Sequence, residues 1–104
     1  MSDFVTVARV GEIPAGEGRA FEVDGIIVGV FNVEGEYWTI DDFCPHQGAS
    51  LAAGELIGTC ITCPLHGWRF DVTDGTWLDN PTSKLKAETF QTRVVDGEIQ
   101  VKVD

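Results

Sequence analysis

Three residue pairs, Asp24-Gly25, Glu34-Gly35 and Asp96-Gly97, stand between short runs rich in valine, isoleucine and aromatic side chains. A two-residue connection between antiparallel strands needs positive φ at both central positions, which Asp-Gly adopts readily and Glu-Gly less so. The pairs predict hairpins joining 20–24 (AFEVD) to 26–32 (IIVGVFN), 26–32 to 36–40 (EYWTI), and 88–95 (ETFQTRVV) to 98–103 (EIQVKV). In the last run Ile99, Val101 and Val103 alternate with Glu98, Gln100 and Lys102, the period of two of a half-buried strand. A further valine-rich run, 4–10 (FVTVARV), precedes them. No segment carries a long apolar stripe of 3.6-residue period, and 12–18 (EIPAGEG) and 79–84 (DNPTSK) read as loops. The expected fold is an all-β antiparallel domain, sandwich-like or barrel-like.

The 104 residues suffice for one modest core, so a single domain over 1–104 is expected. Residues 41–83 differ from the β-rich ends. They hold all three cysteines, both histidines and three of the four prolines, and predict an irregular, ligand-bearing subdomain. An odd number of cysteines argues for metal or redox chemistry over a disulfide framework. The net charge of -10 disfavours nucleic acid and anionic membrane surfaces as partners and suits brief docking on basic protein patches. Residues 1–10 lack the basic and apolar regions of a signal peptide, and no run approaches the roughly 18 apolar residues of a membrane span. A cytoplasmic protein is expected.

Both histidines lie next to a cysteine in near-duplicate frames: Cys44-Pro45-His46 within CPHQG and Cys63-Pro64-Leu65-His66 within CPLHG. Together they read C-x-H-x16-C-x-x-H. A single tetrahedral zinc usually takes ligands two to four residues apart within each loop. One intervening residue makes a tight chelate of one ion and suits two neighbouring metals better. Two thiolates on one iron and two imidazoles on the other is the arrangement of a Rieske cluster. Zinc stays open as an alternative at this point.

Over 43–82, from FCPHQGASL through CPLHGWRFD to NP, the sequence resembles the Rieske family, above all its ferredoxins of bacterial aromatic-ring dioxygenase systems. The resemblance implies one [2Fe-2S] cluster, with Cys44 and Cys63 on the inner iron and His46 and His66 on the outer. It also implies an electron carrier rather than an enzyme, a monomer that docks transiently with a flavin-containing reductase as donor and a terminal oxygenase as acceptor. High-potential members of the family have a disulfide between the loops and hydroxyl donors to the cluster sulfurs. The corresponding positions here are Ala49 and Leu65, and Trp68 and Phe70, so the expected potential is low, about -150 mV. The alternatives are a Rieske small subunit of a larger reductase, such as assimilatory nitrite reductase, and a zinc-binding module. An oxygenase fails because both histidines are already committed and none remains for a two-histidine, one-carboxylate iron site.

The remaining special residues have plainer readings. Cys60 lies in the run GTCIT, which predicts a strand with a buried, inert thiol rather than half of a reactive C-x-x-C. Trp38, Trp68, Trp77, Phe43 and Phe70 read as core or loop packing, with Trp68 also placed to shield the cluster. Gly48 and Gly67 would let backbone N–H groups approach sulfur. Pro81 marks either a cluster-covering loop or an ordinary turn. Asp41, Asp42, Asp71, Asp74 and Asp79 read as turn formers and surface charge.

Overall fold

In the computed structural model, which describes residues 4–43, 49–65 and 67–103, the three Xaa-Gly pairs turn as expected. Asp24 and Gly25 have φ of 51° and 84°, Glu34 and Gly35 of 52° and 92°, and Asp96 and Gly97 of 51° and 77°. Positive φ at both central positions matches the right-handed twist of the flanking strands. The residues on either side therefore pair directly: Val23 with Ile26, Val33 with Glu36 and Val95 with Glu98.

The strands are β1 (Val5–Arg9), β2 (Gly18–Val23), β3 (Ile26–Val33), β4 (Glu36–Asp41), β5 (Glu55–Ile57), β6 (Cys60–Thr62), β7 (Arg69–Asp71), β8 (Thr89–Val95) and β9 (Glu98–Lys102). Six form an antiparallel sheet in the order β1-β9-β8-β4-β3-β2. A register shift between Thr6 and Ala8 adds twist to β1. The edge strands β1 and β2 come into contact, so the sheet curls into a nearly closed barrel. Its interior is filled by Val23, Val28, Val30, Ile99 and Val101, with Ile13 from the preceding loop. Ile99 and Val101 are fully buried, as the alternation in the last strand predicts.

The apolar run of β3 is nearly continuous because both of its faces are covered. Val28 and Val30 point into the barrel, whereas Phe31 joins a second core with Ile40, Leu51, Ile61, Phe70 and Val72. Phe31 pairs with Trp38 across β3 and β4, and Trp38 packs on the same cluster.

That second core is shared with the loop-rich segment, which also carries short regular elements beyond the strand expected at GTCIT. Among its described residues are a 3-10 turn (Leu51–Ala53) and a three-stranded antiparallel sheet in the order β5-β6-β7. Ile61 pairs with Leu56 on one side and Phe70 on the other, and this central row seats the small sheet against Phe31 and Ile40.

Asp42 fastens the two parts together. Its N–H donates to Ile27 O on β3 (3.0 Å), its carbonyl accepts from Leu51 N (2.8 Å), and its Oδ1 accepts from Ala52 N (2.8 Å). The residue is 3% exposed, so it is not the surface charge that the sequence suggests. Burial pushes its carboxyl above the ordinary value, opposed by hydrogen bonds from Ser50 and Ala52. Removing the acceptor leaves a buried N–H unpaired. Asp42→Ala is expected to cost about 2 kcal/mol and Asp42→Asn, which keeps a carbonyl oxygen there, less than about 1 kcal/mol. Thermal denaturation followed by circular dichroism should show that order.

Candidate metal centre

The second motif grows out of β6. Side chains alternate along an extended strand, and here Ile61 and Cys63 face the core, at 0% and 2% exposure. The chain then reverses within four residues. Cys63 N donates to Trp68 O (2.7 Å) and Gly67 N donates to Cys63 O (3.1 Å), which closes the loop on itself. Gly67 has a φ of 74°, where a glycine is favoured. Cys63 carries a free thiol and lines a cleft of about 620 Å³ with Gly54, Thr62, Pro64 and Gly67.

The first motif, with Cys44, His46 and Gly48, lies outside the described residues, and so does His66. Cys63 is thus the member of the predicted ligand set whose placement is described. The residues flanking the first motif are themselves ordered by pairing. Phe43 and Ser50 form an antiparallel bridge, and Asp41 Oδ1 accepts the Phe43 N–H at 2.9 Å.

Two expectations about neighbouring side chains are corrected. Cys60 is half-buried rather than buried. It lies three residues before Cys63 on extended backbone, so the two point to opposite faces and make no dithiol pair. Phe43 is 64% exposed, and Leu65 in the second motif is 60% exposed, so both present apolar surface beside the motifs. Phe70 is fully buried, while Trp38, Trp68 and Trp77 are half-buried. Trp68 stacks on Trp77 with ring centroids 4.1 Å apart and planes 21° apart.

Asp71 and Asp74 are turn formers, as expected, whereas Asp79 does more. Asp71 Oδ1 accepts from Thr73 N and Oγ1 (2.8 and 2.6 Å), and Asp74 Oδ1 accepts from Thr76 N (2.9 Å). Asp79 reaches back to Arg69 on β7, the strand that follows the second motif. Its Oδ2 accepts from Arg69 N (2.9 Å) and Trp77 Nε1 (3.2 Å), and its Oδ1 accepts from Arg69 Nε and Nη2 (3.0 and 2.9 Å). The Arg69 backbone N–H, with further help from its guanidinium, holds the Asp79 carboxyl below the usual carboxylate range. No pattern in the sequence marks this convergence, because three of its four donors belong to Arg69, ten residues away along the chain.

A [2Fe-2S] group fits what is described. Cys63 offers a buried soft sulfur ligand at a cleft wall, and Gly67 beside it adds no side chain to the space in front. Comparison with known proteins agrees. The Rieske [2Fe-2S] domain matches residues 3–96, and the chain belongs to that family. It is 31% identical over 102 residues to the ferredoxin component of the naphthalene 1,2-dioxygenase/salicylate 5-hydroxylase systems of a Ralstonia species, covering 98% of this chain and 97% of the relative. It also resembles the ferredoxin in a solved complex of reduced oxygenase and oxidized ferredoxin of carbazole 1,9a-dioxygenase. There the identity is 30% and the TM-score 0.82, with 93% of this chain and 99% of that chain covered. A Mycobacterium tuberculosis protein described as the small subunit of an NADH-dependent nitrite reductase shares the fold. Its TM-score is 0.90 at 23% identity, with 100% and 97% coverage.

The opposed orientations of the two cysteines give a direct test. Cys60→Ala is expected to keep wild-type iron and acid-labile sulfide per chain, whereas Cys63→Ala should lose most of both in the same assay.

Proposed function

We propose that this protein is a Rieske ferredoxin, a low-potential one-electron carrier that takes electrons from a flavin-containing reductase and delivers them to a terminal oxygenase. Cys44, His46, Cys63 and His66 are its cluster ligands, within a cluster-binding subdomain of a single domain. It works as a monomer in the cytoplasm and is not itself an enzyme. The observation that carries the reading is the nearly end-to-end match to a dioxygenase ferredoxin component, 98% of one chain against 97% of the other. The ferredoxin in the carbazole dioxygenase complex supports an oxygenase as the acceptor. Among the described residues, no helix is long and apolar enough to cross a membrane.

A bound [2Fe-2S] cluster supplies reversible one-electron chemistry. The chain's own residues hold and screen it. Cys63 provides a thiolate from a backbone pinned at both ends of its loop. Ile61 and Phe70, both fully buried, close the core behind it against water. Phe43 and Leu65 offer the exposed apolar surface that a transient partner can cover.

The potential tests the reading most directly. Trp68 and Phe70 carry no hydroxyl where high-potential relatives donate hydrogen bonds to sulfur. Such donors favour the more negative reduced state, so their loss leaves the potential near the bottom of the Rieske range, about -150 mV. A potentiometric titration of the red-brown holoprotein should return that value, and one above about +100 mV would defeat it. Iron without inorganic sulfide, or a lone divalent ion, would defeat the cluster assignment itself. The net charge of -10 adds a second outcome. Electron transfer to the oxygenase should change with ionic strength, since a charge excess acts over about 10 Å at 0.1 M salt.

A further inference from the structure

The Asp79 carboxylate lies in the stretch 79–84 that the sequence reads as a plain loop, yet it receives four N–H donors. A carboxylate offers about four lone-pair sites, so the group is saturated. Three of the donors belong to Arg69 and one to Trp77. Arg69 follows Trp68, whose carbonyl receives the Cys63 N–H at 2.7 Å. Trp77 stacks on the Trp68 ring. Arg69 O in turn accepts from Leu78 N at 2.8 Å. Trp68 is thus gripped between a backbone anchor on its C-terminal side and a ring stacked on its indole, and both grips run to one carboxylate.

We infer that Asp79 is a positioning residue for the cluster site: by holding Arg69 and Trp77 it fixes the Trp68 carbonyl, and through it the backbone of Cys63. The inference rests on the reading of Cys63 as a cluster ligand. Asp79 does not touch that sulfur; it acts through two intervening residues. The exposed Arg69–Asp79 pair contributes little as an isolated salt bridge, its side chains being 52% and 33% exposed. Its effect lies in geometry, because the Arg69 N–H held by Asp79 and the Trp68 carbonyl that receives Cys63 N are the two sides of one planar peptide group.

A role by charge alone makes a different pattern. Removing the negative charge at Asp79 would raise the reduction potential, removing the positive charge at Arg69 would lower it, and removing both would cancel. Positioning does not cancel. The test compares Asp79→Ala, Asp79→Asn, Arg69→Ala and the double variant Asp79→Ala/Arg69→Ala in the purified holoprotein. Amide hydrogen exchange is read by mass spectrometry on peptides spanning 59–70, alongside reduction potential and the EPR lines of the reduced state.

Asp79→Ala should speed exchange in that stretch at least about tenfold, since the loop's two closing bonds lose their support. It should also broaden the EPR lines. Asp79→Asn, which keeps an acceptor for the Arg69 N–H, should fall between it and wild type. Arg69→Ala keeps the backbone bond and should change exchange least. The double variant should remain as broad and as fast-exchanging as Asp79→Ala. Unchanged exchange in Asp79→Ala overturns the inference, and so does a double variant whose potential and line width return to wild type. Iron and sulfide analysis of the same samples separates this from failure of the cluster reading, because exchange reports the latch whatever the site binds.

Discussion

The architecture depends on β3 being buried on both faces. One row of its side chains, Val28 and Val30, seals the barrel, and the other, with Phe31, forms the floor on which the small sheet rests. A strand covered on both faces cannot slip register without exposing apolar side chains to solvent and driving others into misfit. The same strand therefore sets the barrel's closure and the position of everything packed above it. Precision at the metal centre begins there, several residues from any ligand.

From that floor the structure reaches Cys63 by backbone rather than by long side chains. Ile61 is locked between Leu56 and Phe70, and Cys63 follows two residues later on the same face. The turn after it is closed by its own peptide groups. Aspartates do the fastening at both margins. Asp42, desolvated, ties the exit of β4 to the first part of the insert, and Asp79, nearly in solvent, ties the loop after the second motif to β7. The same side chain type thus serves from opposite dielectric extremes. Its carboxyl is pushed up in the first case by lost hydration and drawn down in the second by N–H donors.

Much of the barrel was legible because its turns are written locally. Asp24-Gly25 and Asp96-Gly97 need only their own φ preferences to declare a hairpin, and the alternation of Ile99 and Val101 needs only a neighbouring face. The family, too, was legible, because two histidines beside two cysteines leave few chemistries. The small sheet was not. Strands of three residues, such as β5 and β7, are too short to show a period, and their pairing is decided by the Ile61 row rather than by propensity. The burial of Asp42 and the convergence on Asp79 were equally hidden, since each depends on donors brought in from separate stretches of chain. Phe43 misled for the opposite reason. An aromatic residue is usually packed, and its outward turn follows from the Phe43–Ser50 bridge, which has no signature in sequence.

The insert leaves the barrel from β4 and returns to it in β8, and those two strands are neighbours, with Ile40 opposite Thr89. At the junction Asp41 N donates to Glu88 O at 2.8 Å, so the excursion begins and ends one hydrogen bond apart. The entropic cost of closing such an excursion grows only slowly with its length, by about 0.6 kcal/mol for each doubling. Such a geometry behaves as a plug-in cassette. Its length can change at small entropic cost, whereas its seat on Phe31 and Ile40 and the Asp42 bond to β3 have to be kept.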